Sequence, residues 1–241
     1  MKITYLFNSG FLVDCGKILL VFDDFEDPAH SVADAVARGG FEELYFFVSH
    51  SHFDHFDAHI LNYKESVTKY ILSDDVRNVR QSRDFPLDKT VYMETYSDWE
   101  DGRIRVKSFD STDIGTCFWV ETEGARVFHA GDFNWWHWTG ETEENRHLAR
   151  NAFQKQMKRL EGLEADVAFF PVDGRMGDAW DMGAKEFCAR TKVKALVTMH
   201  NVGYPSWQPE PGFFPAGREI PYWTPEKPGE KRVLAEGGFG K

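Results

Sequence analysis

Six consecutive residues constrain this chain more than any others: His50-Ser51-His52-Phe53-Asp54-His55. They follow Leu44-Tyr45-Phe46-Phe47-Val48, an apolar run rich in aromatics that ends on a β-branched residue and reads as a buried strand. The fold must therefore bury that strand and release its end into a strongly polar loop. In extended chain, residues i and i+2 point the same way. His50 and His52 then face one point, while Asp54 and His55 turn toward a neighbouring one. Neutral imidazole and carboxylate suit zinc, and also manganese or iron. The alternative is a His-rich polar loop without a cation. It desolvates several titratable groups together with nothing to pair them, which is costly.

The rest of the chain supplies strands and helices around this point. The first third reads strand, strand, helix, strand, the last being the run that carries the cluster. Ile3, Tyr5 and Phe7 alternate, Asn8-Ser9-Gly10 turns, and Asp14 to Lys17 turns again before Ile18 to Phe22. Ser31 to Arg38 suggests a short helix with Ser31 as N-cap, stopped by Gly39-Gly40. Further strands are expected at 70–72, 91–93, 103–107, 117–121, 126–130, 167–170 and 195–197. Thr142 to Leu160 is the best helix, with Leu148, Phe153, Met157 and Leu160 as its apolar stripe. Residues 205–229, rich in Pro, Gly and aromatics, are expected to form a covering loop on a single domain spanning 1–241.

Two later strand ends carry matching chemistry. Val127-Phe128-His129-Ala130-Gly131-Asp132 places an aspartate after a β run, and Ala195 to Met199 leads into His200. Asp23 ends an early strand. Ligands gathered from several strand C-termini on one rim are a common way to build a site in a layered fold.

His-x-His-x-Asp-His after a strand, then Gly-Asp after a hairpin strand, then a lone His after a late strand, resembles the metallo-β-lactamase-fold hydrolase superfamily. The local wording around Asp132, Phe170-Pro171-Val172-Asp173 and Met199-His200 is most similar to bacterial members of unassigned substrate, including ascorbate-lactonase-like hydrolases. The resemblance implies an α/β (α+β) fold, a four-layer αββα sandwich with two metals at one edge. It implies His50 and His52 at the first metal, Asp54, His55 and His200 at the second, and Asp132 bridging them. Asp23 matches an acidic residue that supports the ligands. One position departs from the pattern. In Asp110-Ser111-Thr112-Asp113-Ile114-Gly115, Thr112 stands where the family has a further His. The first metal is thereby expected to bind more weakly than the second. Asp113 either supplies it an oxygen, shifting preference toward manganese or iron, or merely closes a turn with Ser111 and Thr112.

Such a site activates water for attack on a small ester, lactone or phosphoester, with Asp54 and Asp132 as the catalytic carboxylates. A di-iron oxidoreductase on the same fold, or a metal-binding protein with impaired catalysis, is the alternative. One or two divalent ions are expected, zinc first and manganese or iron next, and no nucleotide cofactor, since no Gly-rich phosphate loop follows a strand. His129, three residues before Asp132, faces the other side of a straight strand and reads as packed or supporting, with a metal ligand as the alternative. Trp136 and His137 either wall the substrate or cover the core, and Tyr204 and Trp207 are placed to join them. Arg175 either binds an anionic substrate or pairs with nearby acids. His30, His59 and His147 read as surface or capping residues. Ser9 and Ser49 invite no nucleophile role.

A net charge of −11 disfavours nucleic acid and anionic membrane as partners. Three scattered cysteines, no leader-like start and no apolar span long enough for a bilayer point to a reduced, cytoplasmic protein acting on a small molecule. The oligomeric state is left open by the sequence.

Overall fold

The computed structural model describes residues 1–240. Two sheets face each other. The first runs in the order 238–240, 231–235, 2–5, 11–14, 18–22, 43–48, 69–73, 90–93, and its last four strands are parallel. The second runs 222–223, 196–199, 167–171, 125–129, 116–122, 105–110, 98–100, and its first four strands are parallel. Parallel strands are buried on both faces, and the period of two divides their side chains between two cores. Leu20, Phe22, Tyr45 and Phe47 point between the sheets. Leu19, Val21, Leu44, Phe46 and Val48 point outward, under the helix α1 (Ser31–Arg38) and the turns that follow residue 58. Between the sheets Phe11 meets Phe169 with ring centres 4.4 Å apart, and Phe47 meets Phe118 at 5.6 Å.

Helices α2 (Glu143–Leu160) and α3 (Met182–Arg190) cover the outer face of the second sheet. Phe153 stacks on Phe133 at 4.9 Å, and Phe187 on Phe170 at 4.7 Å. Helix, sheet, sheet, helix is the four-layer αββα sandwich expected from the sequence. No helix among the described residues is long and apolar enough to cross a membrane.

Local chemistry corrects several details. α1 spans Ser31–Arg38, but its N-cap is His30, held left-handed at φ 54°. The first turn is capped from outside, where Asp27 Oδ2 accepts from the Val32 N–H at 2.8 Å. The strand expected at 103–107 starts at Arg105, because Asp101 Oδ1 accepts from the Arg103 and Ile104 N–H groups and holds them in a turn. In α2, Thr142 caps the helix, but Leu148 is 61% exposed. The buried stripe is Phe153, Gln156, Met157 and Leu160. Residues 205–229 hold a fully buried Trp207 and a two-residue strand, Tyr222–Trp223, paired with Leu196 and Val197.

Candidate metal centre

The strands ending at Phe22, Val48, His129, Pro171 and Met199 are parallel members of the two sheets, so their C-terminal ends meet on one rim. Each releases a polar residue there: Asp23, His50, Asp132, Asp173 and His200. The backbone is bent to do so. Asp23 and His200 adopt φ of 44° and 64°, and Asn8, beside them, 51°. Left-handed backbone is costly for residues with a side chain and persists where a site needs it.

The loop carrying His50 is wedged by glycine. A Cβ on Gly115, at φ 80°, would lie 2.2 Å from Ser49 O and 2.4 Å from His50 Cβ. Thr112 Oγ1 donates to Asn134 O at 2.7 Å and accepts from the Asn134 N–H at 3.0 Å. Thr112 is therefore a clasp on the loop that bears Asp132.

Hydrogen bonds fix the tautomers of His50, His55 and His200. A carboxylate only accepts, so His55 Nδ1 donates to Asp23 Oδ2 at 2.8 Å, and His200 Nδ1 donates to Asp173 Oδ2 at 3.0 Å. Ser49 Oγ gives its hydrogen to Asp23 Oδ2 at 2.6 Å and accepts from His50 Nδ1 at 3.0 Å. The Nε2 lone pairs of His50, His55 and His200 are thereby turned inward, as in carboxylate–histidine–metal chains. His55 Nε2 lies 3.1 Å and His200 Nε2 3.5 Å from Asp132 Oδ1. His50 Nε2 lies 3.0 Å from His52 Nδ1 and 3.6 Å from Asp132 Oδ2. Asp54 Oδ2 accepts from Asn8 Nδ2 at 3.3 Å and faces His200 Nε2 at 3.6 Å.

Three sets of ligand atoms fall within 4.8 Å of one another: His50, His55 and Asp132; Asp54, His55 and His200; and His52, Asp113 and Asp132. His50, His52, Asp54, His55, Asp132 and His200 thus come together, with Asp132 common to both halves. Asp113 joins the first half, and its Oδ1 also accepts from the Ile114 N–H at 2.9 Å, so it is at once a turn residue and a candidate ligand.

A cation fits this set. His55 Nε2, His200 Nε2 and Asp132 Oδ1 are shut off from solvent and have no hydrogen-bond partner among the described residues. Each such atom costs about 1–3 kcal/mol, and a divalent ion would satisfy all of them at once. The charges carry the same message. Burial pushes the Asp132 carboxyl up, but the imidazoles of His55, His200 and His50 outweigh it and hold the group well below the carboxylate range. Burial likewise opposes ionisation of Asp54, yet the bond to His200 and the charge of His55 bring it down to about 2. His200 is driven up to about 9, because Asp173 and Asp54 overcome its burial. Burial and the neighbouring His55 lower His50 to about 4. Without metal, protons on imidazole do the pairing a cation would do.

Of the supporting residues, Asp23 orients His55 and Ser49. His129 is packed: it stacks on Phe22 at 5.0 Å and its Nε2 donates to Ser9 O at 2.8 Å. Trp136 and Arg175 line a cavity of about 580 Å3 together with His52, Asp54, Asp132 and His200. Tyr204 lines a smaller adjoining cavity of about 300 Å3 with Phe7, Asn8 and Asp54. His137 lines neither. Trp207, read as a pocket residue, is instead core, and its Nε1 donates to Asp181 Oδ2 at 2.8 Å. His59, read as a surface or capping residue, sits 3.2 Å from both Asp24 and Asp57. A larger cavity of about 1440 Å3 lies around Cys15, Glu123 and Arg218, and none of the converging ligands touches it.

Asp173, which holds His200, is a residue of this site that sequence reasoning missed. It follows a strand as Asp23 does, and that shared pattern was the available signal. Arg175 Nε and a terminal nitrogen donate to its carboxylate at 2.9 and 2.5 Å, so Arg175 pairs with an acid as one reading held.

Known proteins of this architecture carry related descriptions. No protein-family model matches the chain. A UPF0173 metal-dependent hydrolase of Alkaliphilus metalliredigens is 26% identical over 223 residues, covering 85% of this chain and 87% of its own. Among solved structures, the metallo hydrolase Igni18 of Ignicoccus hospitalis superposes with a TM-score of 0.62 at 16% identity, covering 95% of this chain and 96% of its own. The metallo-β-lactamase fold protein YhfI of Bacillus subtilis gives 0.60 at 12% identity, over 95% and 97%. CmlA of Streptomyces venezuelae, a diiron β-hydroxylase, gives 0.57 at 12%, over 83% of this chain and 44% of its own. The order of the motifs, the layered architecture and these likenesses agree: the chain has the metallo-β-lactamase fold and is similar in sequence to a metal-dependent hydrolase.

Proposed function

We infer that the protein is a metal-dependent hydrolase that turns a metal-activated water on a small ester, lactone or phosphoester. The observation that carries this reading is the convergence of His55 Nε2 and His200 Nε2, at 3.1 and 3.5 Å, on Asp132 Oδ1, all three buried and without a hydrogen-bond partner among the described residues, beside a cavity of about 580 Å3. A cavity of that size suits a small molecule.

Asp54, His55, Asp132 and His200 would hold one ion, and His50, His52, Asp132 and Asp113 the other. When bound, divalent ions lower the pKa of water toward neutrality and stabilise the oxyanion that develops on the substrate. The chain's own residues do the rest. Asp23 and Asp173 keep His55 and His200 in the tautomer that presents Nε2. Asp54, partly exposed and ionised above a pKa of about 2, presents a carboxylate toward the cavity that accepts a proton and delivers it to the leaving group. Trp136 and Trp138 exclude water on one side. Zinc is the preferred ion, with manganese or iron favoured at the first position if Asp113 binds there. Cys15, Cys117 and Cys188 are free thiols, which accords with a reducing cytoplasm.

The test is metal analysis after gentle purification, followed by a hydrolytic screen of lactones, carboxylic esters and phosphodiesters with zinc or manganese added back. Turnover that disappears with chelator and returns with metal supports the reading. No turnover with both positions loaded overturns it. Tightly held iron with a visible absorption band would favour an oxidoreductase instead.

A further inference from the structure

The cavity beside the candidate ligands holds two guanidinium groups, and they differ. Arg175 is committed to Asp173, and its guanidinium also lies over Trp138 at 5.1 Å. Arg146, on the first turn of α2, lines the same cavity. Its charged neighbour is Glu143 at 3.6 Å, a carboxylate 83% exposed to water. Its Nε is shut off from solvent and donates to no atom among the described residues. The rest of the guanidinium is reachable, since the side chain is 29% exposed, and no side-chain hydrogen bond among the described residues occupies it, so its terminal nitrogens are free to make charge-assisted bonds to an anion.

The cavity also carries a fixed aromatic face. Trp136 and Trp138 stack with ring centres 5.2 Å apart and planes 4° from parallel. Trp136 Nε1 donates to Asp132 O at 3.0 Å, which ties this face to a candidate ligand. Glu141 is the acidic wall residue outside the ligand set, and its Oε2 accepts from Asn145 Nδ2 at 2.6 Å. A flat ring stacks on tryptophan, and a planar fork pairs with carboxylate or phosphate.

We propose that Arg146 is a specificity-determining residue: it binds a carboxylate or phosphate group of a substrate whose flat body lies on Trp136 and whose scissile bond lies at Asp54, Asp132 and His200. The word substrate rests on the hydrolase reading above; the anion site does not. In a chain of net charge −11, such a group selects anionic molecules that the surface as a whole repels.

Arg146→Gln and Arg146→Lys, each metal-loaded, test it by two routes. The first is calorimetric titration with benzoate, phenyl phosphate and neutral benzamide. Arg146→Gln is expected to weaken at least one anion about tenfold or more, with benzamide held within about twofold and Arg146→Lys intermediate. The anion that loses more identifies carboxylate or phosphate as the group bound. The second is the ratio of kcat/KM for 4-carboxyphenyl acetate over phenyl acetate, which should fall by a similar factor, carried by KM. Anion and benzamide binding that weaken together, or anion binding that does not change, overturns the proposal. If the wild type hydrolyses neither ester while anion binding depends on Arg146, the hydrolase reading fails and the anion site stands. If both esters are hydrolysed at a ratio that ignores Arg146→Gln, the reverse holds.

Discussion

Asp173 Oδ2 lies 3.0 Å from Nδ1 of His200, and that contact turns the other ring nitrogen toward Asp54 and Asp132. Among the described residues the aspartate's side chain hydrogen-bonds to no other candidate ligand, so it acts through the ring it holds. Removing it as Asp173→Ala frees His200 to rotate and also releases Arg175. Loss of such a supporting carboxylate lowers metal affinity by about 10–100-fold. Competition with a chromogenic chelator should show the weakening at one ion per chain, with the other ion unaffected. An equal weakening of both would remove Asp173 from this role.

Asp113 is an exposed member of the first half of the site, and Thr112 serves as a clasp rather than a ligand. Asp113→Ala should release one ion and leave the second, held by Asp54, His55, Asp132 and His200, in place. Elemental analysis after dialysis reads the stoichiometry directly. Two ions retained by Asp113→Ala, as tightly as by the wild type, would exclude its carboxylate from coordination.

Gly115 at φ 80° lies against Ser49 and His50. Gly115→Ala brings a methyl carbon within 2.2 Å of a backbone oxygen, with no flexible side chain to yield. Strained backbone and overpacking together should cost about 3 kcal/mol or more. Urea unfolding monitored by tryptophan fluorescence measures it, and a variant as stable as the wild type would show that the loop has room.

In metal-free protein His200 is protonated below about pH 9, since Asp173 and Asp54 outweigh the effect of its burial. A cation requires the neutral ring, so each ion must displace protons. The sign follows: apparent affinity falls as pH drops below about 9, by about tenfold per unit for each proton displaced. Calorimetry in buffers of different ionisation enthalpy counts the protons released at pH 7. Affinity independent of pH between 6 and 9 would mean that His200 is already neutral.

The ligand set was legible because its members stand at the ends of recognisable strands. His50, Asp132 and His200 each follow an apolar run, and the layered fold brings such ends to one rim. Asp173 was hidden because its role depends on which strand lies next to which. Only the pairing of Phe170 with Thr198 brings it beside His200. Trp207 was misread for a related reason: a Pro-rich surrounding suggests a surface, while its burial comes from packing against Phe213 and Tyr222 in the same segment. Leu148 fits a helical stripe by spacing, yet the sheet lies under Phe153 and Met157 instead. Arg146 carried no sequence signal, since a charged residue in the first turn of a helix is ordinarily solvated.

The first sheet delivers His50, His52, Asp54 and His55, and the second delivers Asp132 and His200. An ion held by both would rivet the two halves of the sandwich at their open edge. Chelation would then do more than silence chemistry: it would let the halves part there first, and amides on either side of the seam would trade hydrogen for deuterium sooner than those deeper in the molecule.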